Sequence, residues 1–332
     1  MNIITDNDFN GLEASAKFGM TGKGDGEEYL MNLTWGTSSD RGSLVASVSY
    51  QDNKPSPLVD RVPCPLSGSS ETECSGSSST AGGRAVYTDG TGDLVRINFN
   101  NEPGGKTWAP YDSSIHGYNY NVNFNAVNPI KRLSFSTFGH YNITDEIRFF
   151  GELMYTNRRS TQPASPNTLT NFTIAADHPT NPTGEDLLVE RRRLVELGSR
   201  IFNQEVNTLR VVAGLDGTLE NGWFWDASVN WGRNTGSDSA TKIVNKDRFA
   251  ETLDTSLCGS NGIPCGDYLG VGNVSQAVLD YLPFNMTDMG GNEQVSFVAN
   301  IGGGIFDLPA GEVGFAVGVE YREDSGWSNP DA

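Results

Sequence analysis

Four cysteines fall in two close pairs, Cys64 with Cys74 and Cys258 with Cys265, each inside a Gly/Ser/Pro-rich stretch. Such pairs serve two chemistries, a local disulfide or thiolate ligation of a metal. Metal ligation favours a C-x-x-C spacing or a companion histidine pattern, and the three histidines, His116, His140 and His178, are scattered. The reading is therefore two disulfides, which imply an oxidising compartment. The triplet Arg191, Arg192 and Arg193 in "LLVERRRLVELGSR" could attract an anion. The plainer reading is a solvated loop helix with Glu190 and Glu196 as partners. "GTGDL" and "GGGIF" lack the spacing and the lysine of a phosphate loop. No catalytic constellation, metal site or cofactor motif emerges, so the expectation is a protein that is not an enzyme.

The elements that position these residues follow from composition and period. The chain has 332 residues, 36% hydrophobic, with 39 glycines and a mean hydropathy of −0.40. No apolar run reaches the length of a membrane-crossing helix. A net charge of −18 argues against nucleic-acid partners, whose phosphates need clustered Lys and Arg.

Strand-period alternation recurs nine times. The segments are Phe9–Gly19, Glu28–Gly36, Gly42–Gln51, Lys131–Tyr141, Glu146–Asn157, Asn207–Leu219, Gly222–Arg233, Glu293–Phe306 and the alternating half of Phe306–Gly326. In the last, Val313, Phe315, Val317, Val319 and Tyr321 alternate with small or charged residues. Segments of about ten residues with one apolar face suit tilted strands crossing a bilayer. Aromatics such as Phe18, Tyr29, Trp35, Tyr50, Tyr141, Trp223 and Trp231 stand near segment ends, as an interfacial girdle requires.

The connections carry a parity. Those near 38–41, 142–145, 220–221 and 308–310 are tight, whereas 52–130, 158–206 and 234–292 are long. An antiparallel transmembrane barrel with turns on one rim and loops on the other produces this pattern. The fold expectation is all-β, an antiparallel transmembrane β-barrel segment of about nine strands. Its short turns are periplasmic and its long loops extracellular. Both cysteine pairs then lie outside the cell.

On the opposite face of the strands, Arg148, Glu152, Asp226, Asn230, Glu320 and Arg322 are candidates to line the lumen. Interstrand pairing inside the barrel would use the charged ones as well. His140 reads as a hydrogen-bonding filler. In the first loop, "TWAPYDSSIHGYNYN" offers Trp108, Tyr111, Tyr118 and Tyr120 for stacking on a ligand. "KIVNKDRFAETLD" and "NVSQAVLDYL" have helical spacing and flank the Cys258/Cys265 hairpin, which predicts a folded cap.

Several phrases resemble the TonB-dependent receptors of the bacterial outer membrane. "NIITDNDFNGLEASAKFG" followed by "GDGEEY" resembles the junction between that family's plug and barrel. "RLSFSTFGHYNITDEIRFFGELMYTNRRS" resembles two barrel strands with their periplasmic turn. "VNKDRFAETLDTSLC…IPCGDYLGVGNVSQAVLDYL" resembles a cysteine-hairpin loop, and "FDLPAGEVGFAVGVEYREDS" is the most specific phrase. The resemblance implies residues 1–8 as the end of a plug, 9–325 as part of the barrel and 326–332 as the start of a further loop. It implies energy-coupled uptake of a scarce ligand (a siderophore, cobalamin or an oligosaccharide) in the outer membrane of a Gram-negative bacterium. The implied partners are outer-membrane lipid and lipopolysaccharide, a small-molecule ligand, and the TonB complex through an N-terminal part. The opening "MNIITDNDFNGLEASA" has no export signal, and no aromatic-ended terminal strand is present. The expectation is thus a fragment of a longer receptor. The alternatives are a passive outer-membrane channel or a non-functional truncated remnant; a soluble lectin-like sandwich fits the Trp face poorly.

Overall fold

The computed structural model describes residues 9–66 and 74–331. Residues 1–8, expected to close a plug, lie outside the described residues. The chain opens as an antiparallel meander of β1 (Gly11–Gly19), β2 (Glu28–Ser39) and β3 (Gly42–Asn53). A first excursion carries β4 (Ser56–Pro57), β5 (Arg84–Thr88), β6 (Leu94–Phe99), β7 (Trp108–Pro110), helix α1 (Ser113–His116) and β8 (Asn125–Val127). The chain returns as β9 (Ile130–Asn142) beside β3, then β10 (Ile147–Ala164). A second excursion holds β11 (Thr168–Ile174) and β12 (Leu187–Arg193) before β13 (Arg200–Thr218) and β14 (Phe224–Val244). The third holds α2 (Lys246–Glu251) and α3 (Gln276–Tyr281), and β15 (Pro283–Leu308) and β16 (Gly311–Asn329) follow.

Nine strands form one antiparallel sheet in the order β1-β2-β3-β9-β10-β13-β14-β15-β16. All nine expected segments are present, in sequence order. The three excursions leave the same rim of the sheet, since an even number of strands separates each from the next. Strand limits differ from the alternation-based ones in one direction. β10, β13, β14 and β15 run on by up to eleven residues at the excursion rim, so 158–164, 200–206, 234–244 and 283–292 are strand rather than loop. These extensions are mostly polar, with the few apolar residues (Ile201, Phe202, Phe284 and Met286 among them) in no sustained alternation, and so hide from a search for it. Ladder hydrogen bonds and polar cross-strand pairs hold them, including Arg159 Nη2 with Glu205 Oε1 at 2.9 Å and Thr161 Oγ1 with Asn203 Oδ1 at 2.9 Å. β16 likewise continues to Asn329, past the expected start of a loop near 326.

The three excursions fold together above the sheet. β5, β6 and β7 from the first join β11 and β12 from the second in a five-stranded sheet ordered β11-β12-β5-β6-β7. The third packs onto one face of it. Ala85, Ile97, Phe99, Phe172, Ile174, Leu187 and Val189 of this cap sheet bury against Tyr268, Leu269, Val274, Val278 and Leu282. The two helices appear where the spacing predicts them, each started by a side-chain cap. Asn245 accepts from the N–H groups of Asp247 and Arg248, and Ser275 accepts from Val278. The expected helix around Arg191–Arg193 does not form. Leu187 and Val189 point inward with Leu188 outward, a two-residue period that makes β12, and only Val195–Leu197 turns as a 3₁₀ helix.

Candidate functional site

In an antiparallel pair, residues directly opposite share a face, so the register can be followed across the whole sheet. One such row links Trp35, Ala46, Thr137, Leu153, Val211, Trp231 and Val295. A second links Tyr141, Phe149, Leu215, Ala227, Ala299 and Val319. The apolar sides of all nine strands therefore form one continuous surface. Nothing among the described residues covers it: Leu12, Met31, Val48, Phe149, Val229, Phe297 and Val317 are all exposed, Leu12 and Val317 at 68% and 62%.

This surface is a band and not a whole face. On β10 it ends at Tyr155, beyond which come Asn157 and Arg159; on β14 it ends at Trp231, before Arg233 and Thr235; on β16 it ends at Tyr321, before Glu323 and Ser325. The band also drifts diagonally. The row through Phe18 at its upper end on β1 passes Tyr29, Asp52, Lys131, Arg159, Glu205, Ser237 and Met289 to reach Asn329, while the band on β16 stops at Tyr321. The row through Leu12 at its lower end reaches Glu323, whereas the band on β16 begins at Val313. The drift is roughly nine residues, or about 30 Å at 3.3 Å per residue, over eight interstrand steps of about 4.8 Å. That inclines the band about 40° to the perpendicular of the strands, within the roughly 35–45° tilt of strands in membrane barrels.

The other face is polar, and it holds all six residues proposed for a lumen. Arg148, Asp216 and Asp226 share one row; Glu152, Val212, Asn230, Ser296 and Arg322 share the next but one. Most are engaged with neighbours in the wall. Arg148 Nη2 meets Asp216 Oδ2 at 2.7 Å and Arg210 Nη1 meets Glu152 Oε2 at 2.6 Å. Asn300 donates to Asp226 at 2.9 Å, Asn230 to Ser296 at 3.5 Å, and Arg322 pairs with Glu320 along its own strand at 3.0 Å. His140 hydrogen-bonds Ser43 across to β3 at 2.9 Å. A wall of mutually neutralised charges is wettable without a strong field of one sign.

The cap is tied together by arginine. Arg192 is fully buried; its Nε donates to the Tyr268 carbonyl at 2.9 Å, and its Nη2 meets Glu196 Oε1 at 2.6 Å and the Gly270 carbonyl at 3.4 Å. Burial pushes its pKa below the ordinary value and the Glu196 carboxylate opposes that. Arg193 reaches the first excursion at Ser79 O and Ser77 Oγ and lies 4.8 Å over the Tyr118 ring. Two of the three arginines read as a solvated triplet are thus internal cross-links. Glu196 does partner one of them, as expected, but Glu190 serves Arg84 and Arg96 instead.

Both disulfides form, Cys64–Cys74 with Cα atoms 5.5 Å apart and Cys258–Cys265 at 4.7 Å. His178 sits 3.9 Å from Cys258 Sγ, yet the sulfurs are committed to each other, so this trio is no thiolate site. Lys106 bridges excursions, pairing with Asp267 at 2.8 Å and donating to Thr180 O at 2.6 Å. Burial pushes the Asp267 carboxyl up, against the pull of Lys106.

Of the four aromatics offered for ligand stacking, the structure brings Tyr111 and Tyr118 onto arginines. Arg84 lies 4.9 Å over the Tyr111 ring. Tyr118 is held by Arg193 and donates to Asn123 at 2.6 Å. Trp108 is half exposed on the edge strand β7, tilted against Phe99 at 5.6 Å, and Tyr120 stands edge-on to Phe124 at 6.1 Å. Sequence reasoning missed Arg84 and Arg96, which lie with Arg191 on the uncovered face of the cap sheet. Their only sequence signal is alternation in the short strands β5 and β6. No family model, curated protein or solved structure matches this chain.

Proposed function

We propose that the nine-stranded sheet is a segment of an outer-membrane β-barrel wall, and that the protein takes up a scarce small molecule as part of a TonB-dependent receptor. The observation that carries the membrane reading is the diagonal apolar band. A soluble sheet buries its apolar face against a second layer; this one leaves it uncovered and steps it along the strands at the slope a tilted wall needs to keep the band level in a bilayer. The sheet's end strands, β1 and β16, each have a partner on one side only among the described residues. In lipid those edges require further strands to close the wall.

The cap supports capture over free diffusion. It is a packed, disulfide-closed unit at one rim of the wall, built where a ligand from outside would arrive. The TonB coupling rests on the phrases that resemble that receptor family. An antibody against the Cys258–Cys265 loop should label intact cells and a heat-modifiable outer-membrane band well above 35.9 kDa. Deleting the gene, or TonB, should abolish uptake of one member of a panel of ferric citrate, cobalamin and maltodextrins. Labelling confined to the soluble fraction would refute the membrane reading; uptake that persists without TonB would make the protein a passive channel.

A further inference from the structure

The core of the cap occupies one face of its five-stranded sheet, and the opposite face is open. The register places Arg191 directly opposite Arg84, with Asn98 beyond, and Leu188 opposite Val86, with Arg96 beyond. Thr168 and Thr170 extend the same face on β11, opposite Arg193 and Arg191. Like charges opposite one another in a sheet repel, so the Arg84–Arg191 pairing costs stability unless an anion sits between or beside them. Glu190 does part of this, meeting Arg84 Nε at 2.8 Å and both Arg96 nitrogens at 3.0 Å. It is one carboxylate for three guanidinium groups.

The rest of the charge is not neutralised from within. Arg191 is exposed and makes no ion pair among the described residues, and Arg96 keeps 56% of its side chain in solvent. Arg193, alongside, meets only backbone carbonyls, Ser77 and the Tyr118 ring. The nearest further acid on the adjoining segment, Asp112, is occupied with the N–H and hydroxyl of Ser114 at 2.8 and 2.6 Å. A chain with 41 acidic and 23 basic residues thus concentrates cations at one exposed sheet face. Beside them are an aromatic platform, Tyr111 with His116 stacked on it at 6.0 Å, and exposed apolar side chains, Leu94 at 77% and Leu188 at 43%.

We propose that this face binds a small polyanion, a chelate or sugar acid carrying several carboxylate or phosphate groups. Arg96 and Arg191 grip its oxygens through their forked donors, and Arg84, seated on Tyr111, is the fixed end of the site. This assigns a substrate class to the capture site and rests on the reading of the cap as that site.

The test is calorimetric binding to the full-length native protein purified from outer membranes. Ferric citrate and sodium tripolyphosphate are the probes, separating carboxylate from phosphate, and maltoheptaose is the neutral comparison. At least one anion should bind, more weakly as salt rises, and the double variant R96Q/R191Q should weaken it by about tenfold or more. The charge-keeping R96K/R191K should recover part of that loss. R159Q, which removes a cation on β10 of the nine-stranded sheet, away from the cap sheet, should change nothing. Binding of neither anion, or equal binding by R96Q/R191Q, overturns the proposal. Binding of maltoheptaose alone does so too while leaving the receptor reading intact. A soluble location for the protein defeats the receptor reading, and the anion measurement is still scored.

Discussion

The nine-stranded sheet and the cap solve the problem of apolar side chains in opposite ways. In the cap, Phe99, Ile174, Leu187, Leu194 and Leu282 are completely or almost completely buried, and the surface is polar or charged. In the sheet, the large apolar side chains are outside, the inside is a lattice of Ser, Thr, Asn and paired charges, and few hydrophobic residues, Val45 and Val212 among them, are buried. One chain therefore carries both a water-soluble core and its inverse. The cap is held by the hydrophobic effect in water, whereas the sheet is held by ladder hydrogen bonds whose loss no solvent in a bilayer would compensate.

That contrast predicts opposite responses to the same kind of mutation. The largest effect is expected in the cap: Phe99→Ala should lower its stability by about 3–5 kcal/mol, read as protease sensitivity of the cap with the sheet intact. Replacing Val229 in the apolar band by Ala should cost less than about 1 kcal/mol in lipid, because its environment is as apolar without it as with it. Val229→Arg should cost about 2–4 kcal/mol, measured by urea titration in vesicles. A large penalty for Val229→Ala would mean that the band packs against protein.

An intermediate effect is expected at the Cys258–Cys265 hairpin. Its closed loop is short, with a sequence separation of 7, so replacing both cysteines by Ser should destabilise the cap by about 2 kcal/mol. The smallest effect sits where cap and sheet meet. The β1–β2 connection is pinned to the first excursion by Arg61, whose nitrogens reach Asp25 at 2.9 and 2.6 Å. The hydrogen bond from Arg61, helped by Thr21, holds the Asp25 carboxyl down at about 2. Because the folded pKa lies below the ordinary 3.8, this contribution is complete above that value and is lost as pH falls toward about 2. Protection of the Thr21–Gly26 amides, taken as the exchange rate relative to an unstructured peptide at the same pH, should fall over that window in the native protein and be already low, and flat with pH, in Arg61→Ala.

The same contrast explains what was legible in the sequence. The nine long strands announce themselves because one face of each carries a two-residue period of large apolar side chains, and the turn parity follows from counting them. The polar extensions of β13 and β14 carry no such period, since water borders both their faces, and they read as loop. The cap sheet was hidden for another reason. Its strands are short, and β5 finds β12 about a hundred residues away, a pairing set by the nine-stranded sheet that brings the excursion roots to one rim. Arg192 illustrates the limit: besides Glu196 its partners are the backbone carbonyls of Tyr268 and Gly270, which no side-chain pattern advertises. The disulfides were legible because short spacing left few alternatives.

The most direct test of the account is site-directed spin labelling along β14 in the full-length protein in lipid vesicles. All four cysteines are in disulfides, so a single introduced cysteine at each position from Trp225 to Trp231 takes the label selectively. The account predicts that Trp225, Ala227, Val229 and Trp231 are accessible to oxygen and shielded from a water-soluble nickel chelate, with the intervening Asp226, Ser228 and Asn230 showing the reverse or neither. Nickel accessibility at Val229 equal to that at the exposed Arg233 would contradict it.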